Sequence, residues 1–325
     1  MPGKRIPRRS GNPAKRAADL ALPKMRKQAT ASVMIDPLGT LPIGHSITIN
    51  GYVFSESDAK EIPDTVRNWE ELDGTVLAVG IRSLTGVKMI GSAVRIGIGL
   101  AVTATHVLAD HLDEILAGTV TPFAMGIRSG IVEFWIVRMM HHSPDDDTQF
   151  LSLELNSRLH PSNTMSVFPI TTRCPVVNEE LTILGFRFED KRTIVDRKGN
   201  VSFAGALHAA RGLVTQVFLD KRDSVMVRFP AIEIACGCVG SMSGGAVIDA
   251  TGKLVGIVSV AVDTDDGLGP TTASWIGPVL GRPVQCPWPP GTFPTALPAA
   301  EYNPFIEGAE YLETSPVQTV LKVWH

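Results

Sequence analysis

Cysteine is scarce in this chain: Cys174, Cys236, Cys238 and Cys286 are the only four in 325 residues. Cys236 and Cys238 stand too close to bridge comfortably, and no Cys/His spacing matches a metal site. A disulfide-stapled scaffold and a zinc module are therefore excluded, and free thiols in a reducing cytoplasm are expected. No motif calls for a metal or a cofactor, and none is expected. Long hydrophobic runs are missing too: none approaches the roughly 18 residues of a membrane span. The first thirty residues lack the apolar core of a secretory signal, since Leu20-Ala21-Leu22 is too short. No internal repeat has a solenoid or propeller period. Together these absences leave a cytoplasmic globular protein with 44% hydrophobic residues, enough for one large or two small cores.

Charge is thin, at 19% of residues, and unevenly placed. Residues 1–27 hold nine Lys/Arg (positions 4, 5, 8, 9, 15, 16, 24, 26 and 27) against Asp19 alone. Of the chain's 30 basic and 33 acidic residues, that leaves 21 and 32 for an acidic body of net charge −11. Residues 1–40 read as a disordered basic arm. The basic residues of 4–27 suit nucleic acid or an anionic surface. A solvated tail is the favoured reading, because no aromatics for base stacking are interleaved.

Short β-type runs dominate from about residue 75. They are 75–82, 87–95, 96–103 (with the preceding run, one bent strand or two), 132–139 and 148–155. A second set, from about 165, comprises 180–186, 212–218, 224–229, 246–248 and 253–262. Residues 250–253 read as a hairpin turn, 107–117 as a short helix, and 64–72 as another. Many short strands with Gly turns predict an all-β barrel or sandwich. After residue 281 the chain is Pro-rich, which reads as an extension wrapped on the body or a loose tail.

The chemistry is concentrated in three segments. In Gly240-Ser241-Met242-Ser243-Gly244-Gly245, a serine precedes two glycines that keep the space beside its hydroxyl clear and tolerate a sharp turn. Thr103-Ala104-Thr105-His106 ends a Gly-punctuated apolar run. Asp147 stands just before the strand-like Phe150-Leu151-Ser152-Leu153, which favours it over its neighbours Asp145 and Asp146. His141 and His142 lack motif support and read as surface residues. A serine hydroxyl needs a base within hydrogen-bond reach, and the base needs an orienting acid.

In chain order these are His106, Asp147 and Ser243, separated by 41 and 96 residues. With the motifs Thr-Ala-Thr-His, Asp-x-x-Phe-Leu-x-Leu and Ser-Gly-Gly in that order, the sequence resembles the trypsin/chymotrypsin-like serine proteases over about residues 75–280. It stands closer to the intracellular, bacterial or viral branches than to the secreted zymogens. The resemblance implies a chymotrypsin-like fold of two six-stranded antiparallel β-barrels with the active site in the cleft between them. It divides the chain into the arm, a protease domain over 41–280 (barrels at about 70–158 and 159–280) and an extension over 281–325. It implies a serine endopeptidase with a His106/Asp147/Ser243 triad acting on a protein or peptide substrate. Two rivals stand beside that reading: a protease-like binding or scaffold module, and a protease tethered to nucleic acid or membrane by the arm.

The resemblance also places an oxyanion hole at the backbone N–H groups of Ser243 and Ser241. The family usually has Gly where this chain has Ser241. Three arrangements stay open: normal donation by Ser241, a loop rearranged around Gly240, or a hole ordered only by a ligand or partner. Met242 replaces the Asp that pairs with a newly cut N-terminus, so activity without N-terminal cleavage is expected. Gly237, at the implied floor of the primary specificity pocket, carries no charge, which points to an apolar substrate residue. Ser259, Val260 and Ala261 match the strand that pairs with substrate backbone, with Ser259 also supporting Asp147.

Overall fold

The computed structural model describes residues 46–52, 61, 63–66, 72–128, 131–142, 146–157, 164–188, 205–261 and 269–312, with strand segments at 28–32, 194–195, 201–202 and 319–322. The basic residues at 4–27 lie outside the described residues, as does Asp145.

Twelve strands close into two barrels. The first consists of β1 (Val76–Ser83), β2 (Gly86–Arg95), β3 (Leu100–Ala104), β4 (Val120–Arg128), β5 (Ile131–His142) and β6 (Thr148–Leu155). The second consists of β7 (Glu180–Phe188), β8 (Gly205–Phe218), β9 (Ala231–Ile234), β10 (Ala246–Asp249), β11 (Leu254–Ala261) and β12 (Thr271–Trp275). Around the first ring the order is β1-β2-β3-β6-β5-β4, closed by β4 on β1; the second repeats it as β7-β8-β9-β12-β11-β10. Every pair within the rings is antiparallel. The expected pair of six-stranded barrels is thus present, as a topological duplication that the residues themselves do not repeat.

Alternation explains the longer strands. Along β5, Glu133, Trp135 and Val137 turn inward between more exposed neighbours, until a bulge between Val137 and Met139 resets the phase. Similar register shifts occur in β1, β8, β10 and β11, where the sheets bend to close. Residues 96–99 turn between the runs 87–95 and 96–103, so of the two arrangements left open, two strands form. The turn at 250–253 joins β10 to β11, with Gly252 at φ +78°.

Several expectations fail for physical reasons. The helix after His106 splits into α1 (His106–Ala109) and α2 (Leu112–Leu116). Asp64–Thr65 is a strand against His208 and Ala209 rather than a helix start. Residues 224–229 form a turn: the Asp223 carboxylate accepts from the N–H groups of Val225, Met226 and Val227 at 2.8, 2.6 and 3.2 Å, offering the backbone a local alternative to a ladder. His141 is fully buried, not a surface residue. Its Nε2 lies 3.1 Å from both Ser152 Oγ and the Gln285 carbonyl.

Residues 281–312 pack into the body. Trp288 meets Trp135 edge to face at 5.3 Å, and Cys286 is buried against the Gly99 carbonyl. Tyr302 donates to the Val284 carbonyl and Asn303 to that of Phe168. Ile306–Glu307 pairs with Ile170–Thr171, which in turn meets β11 at Leu254. Val284, Cys286 and Tyr302 share one apolar core with Val102 and Phe150 of the first barrel and Leu184 and Ile257 of the second. Gln28–Ser32, within the arm, pairs with Ser46–Gly51. All four cysteines are free. Among the described residues no helix is long and apolar enough to cross a membrane.

Candidate active site

The register of two neighbouring strands brings His106 to Asp147. β3 and β6 pair with Ala104 opposite Thr148, so the residues just past the end of one and just before the start of the other are adjacent. Thr105 N–H donates to the Asp147 carbonyl at 3.2 Å. His106 N–H donates to Asp147 Oδ1 at 3.1 Å, and His106 Nδ1 lies 2.8 Å from Asp147 Oδ2. The Ser259 hydroxyl also donates to Asp147 Oδ2. It reaches because Ser259 is the unpaired residue of a bulge between Val258 and Val260 in β11. Burial opposes protonation of His106. The hydrogen bond and charge of Asp147, with the charge of Asp110, outweigh it and hold the imidazole pKa above its ordinary value.

Ser243 faces this pair from the β9–β10 loop, across a cleft of about 510 Å³ lined by both residues and by Ser259 and Val260. Its hydroxyl is 3.3 Å from the Ser259 carbonyl, its hydrogen-bond acceptor here. The loop is built for close approach. A Cβ on Gly244 would lie 2.0 Å from the Ser92 carbonyl, and Gly244 has φ +83°. Ser241, two residues before Ser243, has φ +78°, a left-handed conformation that costs a non-glycine residue on the order of 1 kcal/mol. Gly240 is not the residue that takes the strained turn. Among the described residues, the N–H groups of Ser241 and Ser243 have no acceptor, whereas Met242 N–H donates to Val239 and Gly245 N–H to Met242. An oxyanion hole calls for backbone N–H donors left free of internal acceptors.

The sequence from residue 91 to 257, just over half the chain, matches the model of the trypsin-like peptidase domain. The chain belongs to the trypsin-like peptidase domain family. Among solved structures similar to it are the MamO protease domain from Magnetospirillum magneticum (16% identity, 63% of this chain and 93% of that one, TM-score 0.42) and the mouse serine protease neuropsin (15%, 63% and 90%, TM-score 0.43). Human heparin binding protein is a third (13%, 66% and 91%, TM-score 0.45). No curated protein sequence matches significantly. Membership rests on the family match, and the barrels on the strand pairings.

In this trypsin-like domain the rival acid Asp146 lines the same cleft but is bonded elsewhere. Its side chain is ion-paired with Arg282, from beyond the second barrel, and accepts from Thr148 N–H at 2.8 Å. Burial nonetheless raises the Asp146 pKa, despite Arg282. Met242 is fully buried in the second-barrel core. Gly237 is buried, its N–H bound to the Glu61 carbonyl at 3.0 Å. Val260 lines the cleft, and Ala261 pairs through its backbone with Thr271.

Sequence reasoning missed four contributors to the trypsin-like cleft. Half-buried His142 lines it. Val225, Met226 and Arg228 are exposed into it, held by the Asp223 turn while Val227 and Phe229 anchor the loop inside. The pattern Asp-Ser-Val-Met was a readable turn signal, hidden by the apolar run that follows it.

Proposed function

We propose that the chain is a serine endopeptidase with Ser243 as nucleophile, His106 as general base and acid, and Asp147 as the group that orients and stabilises the imidazole. The observation that carries this is the His106–Asp147 pair facing Ser243 across the cleft, beside two N–H donors without acceptors. Rotation of the Ser243 hydroxyl from the Ser259 carbonyl towards His106 Nε2 makes the attacking geometry. Catalytic hydrogen bonds commonly tighten only when substrate binds. Ser243 Oγ then attacks the scissile carbonyl while its proton passes to His106. The oxyanion is received by the N–H groups of Ser241 and Ser243. The amine leaves with the proton from His106, and the acyl-enzyme is hydrolysed by a water that His106 activates in turn.

The substrate is a peptide whose backbone adds to the edge of β11 at Ser259–Ala261. The uncharged Gly237 supports an apolar residue at the cleavage position, and a peptide-library profile dominated by Arg or Lys would overturn that preference. A fluorophosphonate probe tests the enzyme reading. Labelling of the wild type that disappears in Ser243→Ala, with parallel loss of peptide cleavage, is expected. An unlabelled wild type would instead make this a protease-like binding module.

A further inference from the structure

Ser241 and Ser243 carry the donors of the proposed oxyanion hole, and one residue of the opposite barrel grips the carbonyls of both. We infer that Ser92 is a positioning residue that holds Ser241 and Ser243 in their donating conformation; this rests on the serine-protease reading above. Ser92 sits on β2 opposite Ala78 of β1, two residues before β2 joins β3 at Val94 and Val102. Its other edge therefore has no ladder partner and turns to the nucleophile loop. Ser92 N–H donates to the Ser243 carbonyl at 2.9 Å. Its hydroxyl accepts from Phe186 N–H at 2.8 Å and donates to the Ser241 carbonyl at 3.0 Å. Its carbonyl accepts from the Thr103 hydroxyl at 2.6 Å.

The direction of these bonds matters. Phe186 N–H can only donate, so the Ser92 hydroxyl receives there and its own proton goes to Ser241. Every polar atom of Ser92 is used, and the residue is fully buried, so water cannot substitute for it. The carbonyls it grips flank the 242–243 peptide, which carries Ser243 N–H. With both pinned, that peptide cannot turn its N–H out of the cleft. The same grip restrains Ser241 at φ +78°, a conformation a serine leaves readily and a glycine adopts without penalty.

The test is a double-mutant cycle between Ser92→Ala and Ser241→Gly, read as kcat and KM on one peptide substrate, with thermal melts of each variant. Ser92→Ala is expected to lower kcat at least tenfold with KM changed less than twofold. In the Ser241→Gly background the same substitution is expected to cost less than threefold, because glycine holds the conformation unaided. An equal loss in both backgrounds, or a loss confined to KM or melting temperature, would overturn the proposal. Should Ser92→Ala not fold, Thr103→Val provides the second arm. It frees the Ser92 carbonyl, and a smaller kcat loss, again suppressed by Ser241→Gly, is expected; no suppression overturns the proposal. A wild type with neither turnover nor fluorophosphonate labelling would count against the enzyme reading instead.

Discussion

At the scale of single residues, the site is a set of side chains whose protonation and direction are fixed by neighbours. In the proposed mechanism His106 must be neutral to accept the Ser243 proton, and although burial lowers its pKa, Asp147 holds it above the ordinary histidine value. The rate should therefore fall as the pH drops through that raised value, so the acid limb of kcat/KM lies above the pKa of a free histidine. Asp147→Asn is expected to move that limb to lower pH and to lower kcat by about 10⁴-fold, both visible in a pH–rate profile. Ser259→Ala removes a hydroxyl bonded to Asp147. About a tenfold loss of kcat, with the protein still folded, is expected in steady-state assays.

At the scale of elements, loops carry the proposed chemistry and strand register delivers them. His106 and Asp147 meet because β3 and β6 pair at Ala104 and Thr148, a non-local pairing that no short segment announces. Gly244→Ala would place a methyl on the Ser92 carbonyl at a left-handed position. It should cost about 2 kcal/mol or more of stability in denaturant melts and abolish labelling of Ser243. Asp223→Ala releases three N–H groups of the turn that presents Val225 and Met226. An increase in KM for apolar peptides is expected, with turnover of a minimal ester unchanged.

The same scale shows what could be read beforehand. The apolar runs 75–82, 132–139 and 180–186 were legible as strands, and the three motif segments were legible because Ser243, His106 and Asp147 each sit near a strand end with a local signature. β4 was not legible, since Pro122 and Gly126 interrupt it, nor was the Thr-rich β12. The apolar residues 225–229 mimic a strand, but the Asp223 carboxylate captures their N–H groups. His141 gave no sign of burial because its partners, Ser152 and Gln285, are distant in sequence. Ser241 kept three arrangements open until its backbone angle showed that the glycine-like turn falls on this serine.

At the scale of the whole molecule, residues 281–312 fasten the two barrels together. His141, which contacts the Gln285 carbonyl, has its pKa lowered to about 4 by burial, which that contact only partly offsets. Unfolding lets it bind a proton at ordinary histidine pH, so stability should fall as pH drops from about 6.5 towards 4, by a few kcal/mol. Melting temperatures of the wild type and of His141→Gln across that window check this: the variant's should decline less. Met242, buried in the core, has no charge to offer a new N-terminus. Mass spectrometry of active protein is expected to find no obligatory cut before residue 75.

This C-terminal segment has a consequence in time. Ser243, the proposed nucleophile, is synthesised before the segment that brings Arg282 to Asp146, Trp288 to Trp135 and Ile306 to Ile170. A nascent chain therefore carries His106, Asp147 and Ser243 before the cleft between the barrels is secured. On the proposed peptidase reading, competence is a late event of biogenesis, withheld until translation has passed the last docking strand.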